Sequence, residues 1–189
     1  MAETRLDAVP ASATSDPVDR LKALDAEAWR ELFAAYFNRL YRFAYARTGD
    51  AQLAEEIASE TFAAAARGIG RYRQTGAPFS AWLYRIARNI TADRLEQRRK
   101  RPQTSLTDFE GDVEAKGWTA QVEERADIDR CLARLTQEQQ DVIALRFFND
   151  CSLIEAAAAM GKSVGAVKLL QHRALSALRK QLTRWGHQG

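Results

Sequence analysis

Cysteine, histidine and proline are scarce in this chain, and each shortage removes a class of function. The two cysteines, Cys131 and Cys151, are far apart and form no CxxC pair, and the only histidines are His172 and His187. Neither a disulfide framework nor a zinc site is expected from that set, and no other cofactor is expected. Cys131 falls with Ile128, Leu132 and Leu135 at helical spacing and reads as a core thiol. No apolar run approaches the roughly 20 residues that span a bilayer, and Met1 to Arg20 carries no basic segment followed by an apolar stretch. A cytoplasmic protein without membrane insertion is the expectation. The sequence also has no glycine-rich phosphate loop, no cluster of metal ligands and no nucleophile beside a histidine, so no catalytic residue and no small-molecule substrate are expected.

What is present is an ordinary globular composition, 46% hydrophobic and 28% charged over 189 residues, enough for one large domain or two small ones. The net charge of +3 is modest, but its distribution is uneven. Arg67 to Arg101 holds ten basic residues against Asp93 and Glu96 alone, and Met160 to the C-terminus holds six basic residues and no acid. Asp50 to Glu60 reverses this with four acids and no base. Any one charge run is most simply a solvated face; two basic zones in separate helical units point to a polyanion bound at two places, and the acidic zone to a different partner.

Periodicity gives helices and no strands. Residues 1–20, with Pro10 and Pro17 in a Ser/Thr/Ala mixture, read as a disordered lead. A first helix is expected from an Asp25 cap to Arg47, its apolar stripe running from Trp29 through Leu32, Phe33, Tyr36, Phe37, Leu40, Phe43 and Ala44, with Gly49 past its end. Asp50 caps a second helix built on Leu53, Ile57, Thr61, Phe62 and Ala65. After a break from Gly68 to Pro78, a third runs from about Phe79 to Arg99 with Trp82, Leu83, Ile86, Ile90 and Leu95 inward. Residues 102–121 carry Asp108, Glu110, Asp112 and Glu114 with Gly111 and Gly117, and read as an acidic flexible linker. Beyond it, Thr136 to Gln139 and Ser152 to Glu155 have the form of capping boxes. Gly161-Lys162-Ser163 is a short turn before a final helix to about Arg184. Two helices joined by such a turn, the second rich in cations, form a helix-turn-helix pattern. The fold class is therefore all-α: two small helical domains, a three-to-four-helix unit over 21–101 and a helix-turn-helix unit over 122–185, joined by a flexible linker.

On a helical wheel the last helix places Val167, Leu170, Gln171, Ala174, Leu178 and Leu182 on one side and Lys168, Leu169, His172, Arg173, Ser176 and Lys180 on the other. Recognition helices present their N-terminal residues to the major groove. Lys168 and Arg173 suit guanine acceptors or phosphates, His172 either, and Leu169 a thymine methyl.

Two stretches then carry a resemblance. Leu135-Thr136-Gln137-Glu138-Gln139-Gln140-Asp141-Val142-Ile143-Ala144-Leu145-Arg146, with Val164-Gly165-Ala166-Val167-Lys168 and His172-Arg173-Ala174, resembles the second DNA-binding region of extracytoplasmic-function sigma factors of bacterial RNA polymerase. Independently, Gly49-Asp50-Ala51-Gln52-Leu53-Ala54-Glu55-Glu56 to Phe62, and Phe79-Ser80-Ala81-Trp82-Leu83 to Asn89, are similar to the same family's first region, the two occurring in the family's order. The resemblance covers about residues 25–185.

The resemblance implies a factor that binds core RNA polymerase and directs initiation at promoters. Asp50, Glu55, Glu56 and Glu60 around Phe62 would meet the clamp of the largest polymerase subunits. Asn89 would hydrogen-bond a flipped base of the melted minus-ten strand, with Tyr72 or Phe79 bordering its pocket and Arg73, Arg85, Arg88, Arg94 and Arg98 holding phosphates. Lys162, Ser163, Lys168, Leu169, His172 and Arg173 would meet the minus-thirty-five duplex, and an anti-sigma factor is an expected further partner. Where the family commonly has Ser-Arg-Leu, this chain has Leu169-Leu170-Gln171, so minus-thirty-five specificity does not carry over. Ala156 to Ala159 replaces bulkier residues, which predicts looser packing of that helix. The other reading, a helix-turn-helix regulator whose first domain is an effector or dimerisation module, accounts for the second domain alone.

Overall fold

The computed structural model describes residues 16–100 and 130–185, with side chains as far as 183; the expected linker at 102–121 lies outside the described residues. Every described element is helical. Helix α1 spans Pro17–Lys22, α2 Ala26–Thr48 and α3 Ala51–Gly68, a 3₁₀ turn follows at Ile69–Arg71, and α4 spans Phe79–Lys100. In the second half, residues 130–133 are helical, and α5 (Gln137–Ile143) runs into a π turn at Ala144–Phe148. Helices α6 (Leu153–Met160) and α7 (Val164–Trp185) complete the chain.

The boundaries follow from capping chemistry. The Asp25 carboxylate accepts from the backbone N–H groups of Glu27 and Ala28, both at 2.9 Å, and Asp50 accepts from Leu53 N–H at 2.9 Å. Both capping boxes are formed reciprocally, Thr136 with Gln139 and Ser152 with Glu155. Each such cap satisfies donors that a helix start leaves open, and is worth about 1 kcal/mol. Gly49 and Gly161 end α2 and α6 in the left-handed region, where glycine carries no Cβ penalty. The disordered lead expected over residues 1–20 needs correction at its end: Asp16 caps α1, Pro17 sits in its first turn, and Leu21 is buried in the core. A six-residue helix is too short to show an apolar period, so only its packing reveals it.

In the first bundle α3 lies across α2 and α4. Phe43 meets Tyr84 edge-on at 6.0 Å within a core that includes Leu32, Leu40, Leu83 and Ala87. In the second, α7 sets Val167 and Ala174 against α5 and α6. The two bundles share a contact: α6 packs on α4, and the π turn packs on α2.

That contact changes the expected core of α4. Trp82, Ile86, Ile90 and Leu95 are only half-buried, while Ser80, Ala81, Leu83, Tyr84, Ala87 and Thr91 are buried. The helix is covered on two sides, and an apolar stripe marks only one of them. The looser packing expected of Ala156 to Ala159 is likewise overturned. Ala156, Ala157 and Ala159 are buried, and these small side chains let α6 lie close on α4.

Candidate nucleic-acid interface

An open cleft of about 500 Å³ sits between the segment after α3 and the N-terminal half of α4, walled among others by Arg71, Tyr72, Arg73, Trp82, Arg85 and Ala158. Two rings, Tyr72 and Trp82, line it, with Phe79 packed behind them. Tyr72 lies 5.1 Å from Phe79 and 5.0 Å from Trp82, and Phe79 lies 5.3 Å from Trp82. A Cβ at Gly68 would meet the Trp82 ring at 3.5 Å, an ordinary van der Waals contact, so the end of α3 lies directly against that ring. Burial pushes the Tyr72 hydroxyl above its ordinary pKa, with Arg85 pulling the other way. Aromatic faces edged by guanidinium groups suit a flat, electron-rich ring attached to a phosphate.

The expected minus-ten residues divide three ways. Tyr72, Arg73 and Arg85 line the cleft, whereas Phe79 supports it from behind and Asn89 is exposed one turn beyond Arg85, outside the lining. Arg88 turns to the second bundle, donating to the Met160 carbonyl at 2.9 Å and lying 3.9 Å from Asp141. Arg94 and Arg98 are occupied by acids, Arg94 with Glu60 at 2.6 Å and Arg98 with Asp50 at 2.6 Å. These pairs are open to water and worth about 1 kcal/mol at most. Sequence reasoning missed Arg71, seen only as part of a charge run, and assigned Trp82 to the core. It had no signal for Ala158, which reaches the cleft only through the contact between bundles.

The acidic helix presents Glu55 and Glu56 outward. Phe62 is buried beside an exposed aromatic that the sequence had put on the inward stripe: Phe33 is 45% exposed, 4.8 Å from Phe62 and 4.7 Å from Phe37. The α3 face thus sets two exposed carboxylates, Glu55 and Glu56, the latter accepting from the Gln52 amide at 3.4 Å, beside an apolar knob.

On α7, Ser163 caps the helix by accepting from Ala166 N–H at 3.2 Å, and Lys168, Leu169, His172 and Arg173 are all exposed. Lys162 is held by Glu138 at 2.8 Å. The expected outer face is largely as drawn, except that Leu182 on the inner side is 48% exposed. Gln171 accepts from Arg146 at 3.1 Å and Leu170 packs against the core, so of the three substituted positions only Leu169 is exposed.

Family comparison accounts for this pairing of a cleft with a cation-bearing helix. Residues 32–101 match Sigma-70 region 2, and residues 131–180 match Sigma-70, region 4. The chain is 31% identical over 179 residues to the ECF RNA polymerase sigma factor SigW of Bacillus subtilis, covering 87% of this chain and 94% of that one. It belongs to the ECF RNA polymerase sigma factors. Its identity to the ECF sigma factor BldN of Streptomyces coelicolor is 36% over 169 residues, covering 87% of this chain, and the chain spans 64% of BldN's length. Among solved structures, CnrH in complex with the cytosolic domain of CnrY is similar with a TM-score of 0.69 and 25% identity, over 89% of this chain and 96% of that one. The cleft of this sigma factor thus falls in its region 2 apart from Ala158, and α5, α6 and most of α7 fall in its region 4. Among the described residues there is no metal-ligand cluster, and no helix is long and apolar enough to cross a membrane.

Proposed function

We propose that this sigma factor brings core RNA polymerase to promoters by reading melted minus-ten DNA in the cleft of its first bundle and minus-thirty-five duplex with the start of α7. The observation that carries this is the cleft itself. Half-buried Trp82, backed by the buried Tyr72, offers a ring on which an unstacked base can lie, and Arg71, Arg73 and Arg85 stand where its phosphates would run. A single strand is the ligand that fits, since a base enters only after leaving its stack. Asn89, outside the lining, meets the neighbouring nucleotide along the same face as Arg85. Arg88, Arg94 and Arg98 join the phosphate contacts once their protein partners release them.

Glu55 and Glu56, with Glu60, Asp50, Phe62 and the exposed Phe33, form the surface for the polymerase clamp. An acidic face beside an apolar knob fits a basic helix and keeps that side of the bundle off DNA. Lys168, His172 and Arg173 enter the major groove with Leu169, while Lys162 and Ser163 approach the backbone. The factor acts without catalytic chemistry or cofactor of its own, in the cytoplasm where the chromosome lies. CnrH is seen with the cytosolic domain of CnrY, and an inhibitory protein partner is proposed here by that likeness.

Run-off transcription with core polymerase on genomic fragments tests the proposal. The wild-type chain is expected to give discrete transcripts that core alone does not, and the double variant Glu55→Lys/Glu56→Lys to lose both transcripts and co-elution with core while its circular dichroism stays unchanged. Transcripts from the folded double variant would overturn the assignment of the α3 face. Absence of any wild-type-dependent transcript would overturn the function.

A further inference from the structure

One residue on the outward face of α7 is unlike its neighbours. Gly165 is followed at three, four, seven and eight residues by Lys168, Leu169, His172 and Arg173, so these residues share one face, and all are exposed. Leu169, 50% exposed, is the one large apolar side chain among them. A single exposed leucine is ordinary on a protein surface. This one is set apart by how it is held and by what surrounds it.

The rotation of α7 is fixed from behind. Val167 and Ala174 are fully buried, and Leu170 packs against the same core. Arg146 donates to the Gln171 side chain at 3.1 Å and also to the Cys151 carbonyl, tying the helix to the segment before α6. Rolling Leu169 inward would expel Val167, so its exposure is built into the packing.

The leucine also stands clear of other side chains. A helical side chain leans toward the N-terminus and lies over the preceding turn, which for Leu169 holds Gly165 and Ala166. Both are exposed, and a Cβ placed on Gly165 would meet nothing within 4 Å. An incoming surface therefore reaches the leucine methyls across a low platform. Lys168 lies alongside, His172 and Arg173 stand on the C-terminal side, and no acid occurs from Met160 to the C-terminus.

An apolar group in a field of cations narrows the ligand. The face as a whole suits a polyanion, and the one apolar group that the bases of duplex DNA present in the major groove is the 5-methyl of thymine. Serine, which the family commonly has at this position, can donate to or accept from several bases. Leucine can do neither, and against any base edge but a methyl it strips water from a polar group without replacing the hydrogen bond.

We propose that Leu169 is a specificity-determining residue that selects a thymine in the minus-thirty-five duplex through its 5-methyl group. Lys168, His172 and Arg173 supply the charge that brings the groove to it. This deepens the promoter reading above, on which it rests, by naming the base and the group that is read.

The test uses holoenzyme assembled from core polymerase and the full-length chain. A duplex pool randomised across the minus-thirty-five element is first selected for binding. Each thymine of the selected sequence, on either strand, is then replaced by deoxyuracil, which keeps the base pair and the O4 acceptor and removes only the methyl. One replacement is expected to weaken wild-type binding by about fourfold, the worth of one methyl taken out of water. At that position 5-methylcytosine is expected to bind better than cytosine. Leu169→Ala is expected to bind the thymine and uracil duplexes equally, while Leu169→Met, which keeps an apolar tip, retains part of the difference. Both changes lie at an exposed position and use good helix formers, so circular dichroism should be unchanged.

A selected sequence without thymine, or one that tolerates uracil at every thymine while Arg173→Ala still weakens it, would overturn the role of Leu169 and leave the promoter reading standing. A uracil penalty undiminished in Leu169→Ala would assign the methyl to another residue, the exposed Val164 first, and would overturn it equally. No preferred sequence at all would overturn the promoter reading for α7 and this proposal with it.

Discussion

The two halves of α4 meet opposite fates. From Ser80 to Arg88 one face of the helix is clasped between bundles, with buried Ser80 matched to Glu155 and half-buried Arg88 to the Met160 carbonyl and Asp141. From Arg94 to Lys100 it extends along solvent, with arginines paired to α3 acids at comparable distances but in water. Distance is therefore a poor guide to what a contact is worth. The dry half decides conformation, and the wet half keeps its cations available.

Tyr84→Ala breaks the dry half and is expected to have the largest effect, a loss of about 3 to 5 kcal/mol in urea unfolding, because a fully buried ring between α2 and the second bundle leaves a cavity. A loss below about 1 kcal/mol would show that Tyr84 is not clasped. Asp50→Ala lies at the join between α2 and α3 and is expected to cost about 1 kcal/mol as a lost cap. The backbone bond from Leu53 and then the Arg98 guanidinium hold the Asp50 carboxyl below its ordinary value. Its contribution is therefore present above the unfolded carboxylate pKa and is lost as pH falls through the depressed one. Wild type and Asp50→Ala should converge in acid, and a gap that persists there would contradict the cap.

Arg98→Ala in the wet half should change stability by no more than about 0.5 kcal/mol while lowering the salt slope of promoter binding by about one unit. A large stability loss with an unchanged salt slope would erase the distinction between the halves. Smaller still is a probe of the dry contact itself. Burial pushes the Cys151 thiol up to about 12, so in wild type it should react with a thiol reagent far more slowly than an exposed cysteine.

The sequence made helix class and helix ends legible, because caps are local chemistry: Asp25, Asp50, Thr136, Ser152 and Ser163 all cap where side-chain type and spacing place them. The outward face of α7 was legible for the same reason, since one period fixes it. What stayed hidden is what two distant segments do together. Arg88 read as a phosphate contact, and Ser80 and Tyr84 carried no reading of their own, until α6 is laid on them, and Ala156 to Ala159 read as weak packing until their smallness is seen to admit α4. The cleft was half legible. Tyr72, Arg73 and Arg85 were named from family position, whereas Trp82 was read as core alone: it does pack against the core, and it lines the cleft as well, which periodicity does not distinguish.

The most direct test of promoter reading at two separate surfaces is a pair of holoenzyme titrations across salt, one on duplex minus-thirty-five DNA and one on a fork carrying single-stranded minus-ten DNA. Arg85→Ala and Arg173→Ala are both changes at exposed positions. Arg85→Ala is expected to weaken the fork and spare the duplex. Arg173→Ala is expected to weaken the duplex by about 1 to 3 kcal/mol if it reads guanine, or to lower its salt slope by about one unit if it holds a phosphate. Equal losses on both probes from either variant, or a loss on the opposite probe, would contradict the division between cleft and recognition helix.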